Sequence, residues 1–172
     1  MKLPTHLCRT DIDTPLGRMR LAASEQALVG VWFRDQKHAP DPLVMAQWRV
    51  QDDHPVLRET ALQLADYFAR RRADFSLPLD LSLGTPFQQS VWQALQGIGP
   101  GRTLSYGELA RRLNAPRAVR AVAAAVGRNP IGIIVPCHRV LGAGGELTGY
   151  AGGLPRKAAL LQLESGLQPI SA

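Results

Sequence analysis

The sequence predicts a mixed α/β (α+β) fold, with strands in its first half and helices in its second. Three observations carry that expectation. Residues 7–33 hold short apolar runs and alternations broken by turn residues, the pattern of strands. From Thr85 onward one helix start follows another. Between them, Leu77-Pro-Leu-Asp-Leu-Ser-Leu-Gly84 reads as a connector, so the expected domains are 1–84 and 85–172.

In the first half, Asp13-Thr-Pro-Leu-Gly17 is a turn, and Met19 and Leu21 alternate with Arg18 and Arg20. Ala27-Leu-Val-Gly-Val-Trp-Phe33 is an apolar run. Residues 35–55 give no clear pattern. From Pro55 to Arg72 the set Leu57, Ala61, Leu64, Ala65, Phe68 follows helical spacing. In the second half Thr85 is an N-cap candidate with Pro86 at the first helical position, and Phe87, Val91 and Leu95 form one stripe. Ser105-Tyr-Gly-Glu108 matches a capping box opening a short helix with Leu109 and Leu113. Asn114-Ala-Pro116 is a turn. The next helix is expected from about Arg117 to Val126, and the last from about Pro155 to Glu164.

Bulk composition excludes several classes. Hydrophobic residues make up 45% and charged ones 20%, a globular balance, and no run is long and apolar enough to suggest a membrane span. Met1-Lys-Leu-Pro-Thr-His6 lacks the apolar core of a signal peptide, which points to the cytoplasm. Cys8 and Cys137 form no CxxC pair, and His6, His38, His54 and His138 are scattered, so neither a disulfide nor a metal site is expected. The net charge of +6 falls wholly within residues 85–172, and six arginines against one acid, Glu108, occupy residues 102–128. That excess suits a polyanion such as DNA; a solvated basic face explains it equally well.

Residues 105–126 read as helix, short turn, helix. On the second helix Val119, Val122 and Val126 share a face, opposite Arg117, Arg120, Ala121 and Ala124. Small side chains let a helix approach a groove closely, and arginine pairs with phosphate or fills the gap left by a base. An ordinary alanine-rich surface helix has the same look.

Ile131-Gly-Ile-Ile-Val135 reads as a buried strand ended by Pro136, with Cys137, His138 and Arg139 directly after it. Most isolated cysteines are small buried hydrophobes. The adjacent histidine changes the balance, because imidazole can take a thiol proton and create the nucleophile. Neighbouring strand residues point to opposite faces, so the two cooperate only if the chain turns after Pro136. The second half holds three acids. Glu108 belongs to the capping box and Glu146 to a glycine-rich turn, while Glu164 ends a helix, against the macrodipole. Either Glu164 has a functional reason or it faces solvent. Gly149-Tyr-Ala-Gly-Gly153 could wall a pocket and is not a phosphate loop. Asn129-Pro130 joins the helix to the cysteine segment.

Pro136-Cys-His-Arg-Val140 resembles the active-site signature of the 6-O-alkylguanine-DNA alkyltransferases, the methylated-DNA–protein-cysteine methyltransferases. The resemblance continues through Thr14-Pro-Leu-Gly17, Thr85-Pro-Phe-Gln88, Ser105-Tyr106, Arg117-Ala-Val-Arg-Ala-Val122, Asn129-Pro130, Gly149-Tyr-Ala-Gly-Gly153 and Leu160-Leu-Gln-Leu-Glu164. It implies a ribonuclease-H-like first domain and a winged-helix-like second domain with a helix-turn-helix. It implies that Cys137 accepts the alkyl group, that His138 is the base, linked through a water to Glu164, and that Asn129 braces the segment. It makes Arg120 the finger that replaces the flipped guanine, with Arg117, Ala118, Ala121 and Ala124 on the DNA-facing helix. Tyr106 would aid flipping and catalysis, and Val135, Pro136, Val140, Tyr150 and Ala151 would line the guanine pocket. Some members carry a structural zinc; no matching Cys/His cluster stands here, so no metal and no cofactor are expected.

The implied substrate is duplex DNA carrying 6-O-methylguanine, with 4-O-methylthymine a second candidate, acted on by a monomer. A base inside a duplex must be flipped out before it can react. Attack at a saturated carbon requires no oxyanion hole. The thioether product has no carbonyl for water to attack, so each molecule reacts once. The competing readings are a non-catalytic helix-turn-helix or lesion-marking protein and a cysteine hydrolase.

Overall fold

The computed structural model describes residues 6–166; the N-terminal segment read against a leader lies, except for His6, outside the described residues. An N-terminal sheet packs against a C-terminal set of helices. Strands β1 (Cys8–Ile12), β2 (Met19–Ala23) and β3 (Leu28–Phe33) pair antiparallel. The stretch 35–55, without pattern in the sequence, forms a short helix α1 (Pro42–Ala46), capped by the Asp41 side chain, and strand β4 (Arg49–Val50), parallel to β1. The sheet order is β3-β2-β1-β4. All five β2 residues are buried, Arg20 included, so its expected alternation fails. Both faces of this strand are covered, and Arg20 is paired with Asp11 at 2.7 Å.

Helix α2 (Pro55–Phe68) stops short of Arg72 and buries Leu57, Thr60, Gln63, Leu64 and Tyr67. Ala65 is exposed, so the buried stripe is rotated from the one expected. Gln63 explains part of that rotation: its amide reaches Ser76 on both sides and anchors the connector that follows. Helix α3 (Pro86–Gln96) opens on a complete capping box between Thr85 and Gln88 and buries Val91, Trp92 and Leu95, leaving Phe87 exposed. Strand β5 (Leu104–Ser105) runs into α4 (Tyr106–Arg112), whose Ser105–Glu108 capping box forms as the spacing predicts. Helix α5 (Val119–Gly127) follows a turn with Asn114 at a φ of 55°. Arg117 and the N-cap Ala118 therefore precede the helix rather than open it. Helix α6 (Leu154–Glu164) ends the described chain.

One apolar cluster spans both halves, from Met19, Leu21 and Val31 through Leu64 and Tyr67 to Trp92, Val122, Val135 and Leu160. A smaller one, with Trp32 and Trp48, covers the other face of the sheet. The free edge of β3 is also occupied: Leu28 pairs with Leu79 and Val31 with Ile131. That edge receives the segment carrying Cys137, since Val31 N–H donates to Pro130 O and Gly132 N–H to Val31 O. Among the described residues no helix is long and apolar enough to cross a membrane.

Candidate active site

The strand expected over Ile131–Val135 does not form. Only Ile131 pairs, with Val31, and the chain then folds into tight turns, with Val135 N–H donating to Ile131 O and Ile134 N–H to Gly132 O. Ile133 sits at a φ of 70° while almost fully buried. A β-branched residue in the left-handed region is strained by about 1–3 kcal/mol, and close packing holds it there. An apolar run cannot distinguish a buried strand from a buried turn.

Directly after Pro136, residues Cys137–Arg139 form one turn of 3₁₀ helix, and β6 (Val140–Leu141) begins. The chain thus turns where cooperation of Cys137 with His138 requires it. Strand β6 pairs parallel with β5, Leu104 opposite Val140. That pairing sets Tyr106, at the start of α4, beside the Cys137 turn.

Cys137 is only 7% exposed. Asn129 Nδ2 donates to its sulfur at 3.2 Å and to Val135 O at 2.8 Å, while Asn129 Oδ1 accepts from Ile131 N–H. Burial pushes the Cys137 thiol up, against smaller opposing effects from the Asn129 hydrogen bond and the Lys157 charge. Burial likewise pushes the His138 imidazole down, although the Glu164 carboxylate opposes it. The resting pair is therefore a thiol beside a neutral imidazole.

His138 Nε2 meets Glu164 Oε1 directly at 2.8 Å, with no room for the water expected between them. Burial alone would raise the Glu164 carboxyl; hydrogen bonds from His138 and Arg139, with the Arg139 charge, overcome it and hold the group at about 2. With Glu164 ionised, the Nε2 proton faces the carboxylate, which leaves Nδ1 as the lone-pair nitrogen. Nδ1 is buried and has no protein partner among the described residues.

Glu164 is far from the solvent-facing acid its helix position allowed. Arg139 contacts it through Nε at 2.8 Å and Nη2 at 2.9 Å, and Tyr67 donates its hydroxyl at 2.7 Å. Sequence reasoning missed both partners. It also missed Lys157, a buried ammonium that donates to Val140 O and Thr148 O. A signal existed for Lys157: with Leu160 and Glu164 it forms the buried stripe of α6, at helical spacing.

A cleft of about 350 Å³ is walled by Tyr106, Tyr150 and Ala151, as expected, together with Lys37, His38, Ala123, Gly127, Thr148 and Gly149. Val135 and Val140 are instead buried in the core, and Pro136 faces a separate cavity between the turn and residues 73–79. Every backbone carbonyl from 148 to 152 accepts a bond. Thr148 O takes Lys157, Gly149 O takes the Tyr106 hydroxyl, and Tyr150 O takes Gly153 N–H. Ala151 O takes Lys37 N–H, and Gly152 O takes Arg156. A Cβ on Gly149 would come within 3.1 Å of that Tyr106 oxygen, and the residue sits at a φ of 51°. Burial raises the hydroxyls of Tyr106 and Tyr150, and a Cys137 thiolate raises both further. Arg117, Arg120, Ala121 and Ala124 are exposed on and before α5, and Ala118 is half-buried. Among the described residues no group of three or more His, Cys, Asp or Glu could hold a metal ion.

The family model described as the 6-O-methylguanine DNA methyltransferase DNA-binding domain matches residues 86–166, and that for the ribonuclease-like domain of the same protein matches residues 7–81. The chain belongs to the 6-O-methylguanine DNA methyltransferase family. A methylated-DNA–protein-cysteine methyltransferase of Haemophilus influenzae is 45% identical over 93% of this chain and 87% of its own length. The constitutive Bacillus subtilis protein of that name is 44% identical over 90% and 93%. Among solved structures, the O6-methylguanine methyltransferase of Mycobacterium tuberculosis superposes with a TM-score of 0.84 at 44% identity, covering 96% of each chain. The OGT protein of the same organism, in complex with DNA, gives 0.81 at 45% identity over 93% and 92%.

Proposed function

We propose that this family member repairs duplex DNA by moving the alkyl group of 6-O-methylguanine onto Cys137, once per molecule. The observation that supports this best is the buried 3₁₀ turn, in which Asn129 holds the Cys137 sulfur while Glu164 fixes the His138 tautomer. In this reading His138 Nδ1 takes the thiol proton. The sulfur forms a bond to the saturated carbon as the carbon–oxygen bond breaks. The departing guanine gains the proton it lacks, so thiol and alkylguanine become thioether and guanine. Tyr106, with a hydroxyl at the cleft wall, is the candidate donor to the leaving base; Tyr150 and Ala151 bound the base.

DNA is the proposed partner, as in the solved complex of the Mycobacterium tuberculosis relative. Arg120 is assigned the space left by the flipped base, with Arg117, Ala118, Ala121 and Ala124 against the groove. Residues 1–84 and 85–172 are proposed as the two domains. A cytoplasmic monomer without metal or cofactor completes the reading, and 4-O-methylthymine is a second candidate substrate.

The test is intact mass after incubation with duplex DNA carrying 6-O-methylguanine. One added methyl, on the peptide containing Cys137, is the expected result. Unchanged mass with full-strength DNA binding would overturn the proposal.

A further inference from the structure

We propose that Tyr67, on a helix of the first domain, is a positioning residue of the alkyl-transfer relay, setting through Glu164 the basicity of His138. The inference rests on the reading of His138 as the base. Tyr67 and Glu164 lie 97 residues apart, yet the Tyr67 hydroxyl donates to Oε1 at 2.7 Å, shorter than either the His138 or the Arg139 contact to that oxygen.

Glu164 Oε1 thus serves three donors: the Tyr67 hydroxyl, His138 Nε2 and Arg139 Nη2. Among the described residues, Oε2 serves Arg139 Nε alone. A carboxylate oxygen offers about two lone-pair sites, so the donors on Oε1 compete. Two of them carry or can carry positive charge. Tyr67 brings a donor that stays neutral whether or not the imidazole is protonated. Its share of the oxygen weakens the pull of the carboxylate on the imidazole, and so favours neutral His138 with Nδ1 open. Tyr67 remains a donor at working pH, because burial and the Glu164 charge push its hydroxyl well above the usual range.

The remaining charges around the relay are accounted for. Arg139 and Cys137 share the turn with His138, Lys157 lies on α6 with Glu164, and the Glu164 charge reaches Tyr150 on the cleft loop. None of these has to change for Tyr67 to act. The Tyr67 ring packs against Phe68 and Phe75, each at 5.4 Å between centroids, so loss of the oxygen alone leaves the packing in place.

The experiment measures the single-turnover rate of methyl transfer against pH for the full-length wild type, for Tyr67→Phe, and for protein with 3-fluorotyrosine at position 67. The acid limb reports protonation of His138. In Tyr67→Phe the carboxylate acts more strongly on the imidazole, and the limb moves up by about one unit, roughly a tenfold loss of rate on that limb. The fluorinated ring donates more strongly and moves the limb down. A purely structural tyrosine would lower the reactive fraction and leave the limb where it is. Limbs that superimpose in all three proteins overturn the inference, and if Tyr67→Phe does not fold, the fluorotyrosine protein decides alone. A wild type that gains no methyl mass overturns the functional reading instead.

Discussion

Asn129 Nδ2 stands 3.2 Å from the Cys137 sulfur and 2.8 Å from Val135 O, so one amide holds both the nucleophile and the backbone that presents it. The same side chain accepts from Ile131 N–H. Asn129→Ala leaves the buried Ile131 N–H unsatisfied, at about 1–3 kcal/mol, and releases the Cys137 sulfur, while Val135 O keeps its bond from Cys137 N–H. The variant should melt earlier and transfer methyl more slowly even where it is fully folded. Thermal melts and single-turnover rates at a temperature below both transitions check this.

Glu164→Gln should cost more. Arg139 is buried against Glu164 and would lose its counter-charge, a loss of about 3–5 kcal/mol for a broken buried pair. Arg139→Met in the same background should restore part of it, because the unpaired charge is then gone. Urea unfolding of the single and double variants measures the recovery; a double variant less stable than Glu164→Gln would contradict the pairing.

Stability should fall in acid. The folded Glu164 carboxyl lies at about 2 against an ordinary 4.5. A depressed acid contributes stability that is complete above its unfolded value, and loses it as pH falls from about 4.5 toward about 2. Asp11, held down by Arg20 and Arg34 against the effect of burial, acts in the same direction. Unfolding free energies across that interval should decline steadily, and a flat profile would show that Glu164 is not ionised in its pocket.

Arg120→Ala removes an exposed side chain and should leave stability within about 0.5 kcal/mol of wild type. Repair in duplex DNA should slow sharply, while reaction with free 6-O-methylguanine should not change. Equal losses on both substrates would remove Arg120 from the flipping step.

What was legible in the sequence follows the range of the interactions. The N-cap at Thr85 and the capping box at Ser105–Glu108 reach three residues along the chain, and both formed, with Gln88 completing a box at the first beyond the expected cap. The turn after Pro136 was readable as a necessity, although its 3₁₀ form was not. The supposed strand at Ile131–Val135 failed because the sequence hides the left-handed Ile133 that breaks it. Tyr67 stayed invisible for another reason. In the pattern it is one more large residue on a core-facing helix, and its partner is 97 positions away. Glu164 posed the question through an unfavourable place at a helix end; three-dimensional proximity of Arg139, His138 and Tyr67 supplied the answer.

Each carbonyl of the loop from Thr148 to Gly152 holds a hydrogen bond, and the Tyr150 ring adds its packing against the core. The loop's shape is thus recorded mainly in groups that every amino acid possesses. Gly149 and Gly152 are exceptions, since a side chain at either would strike a tyrosine. Ala151 is different: it lends the loop only its backbone and still borders the cleft. Exchange of that one methyl for a bulkier or a polar group can narrow or recolour the chamber without loosening the frame. With the lesion seated in this cleft, as proposed, preference for small or large lesions is separable from the machinery of repair, and open to drift by single substitutions.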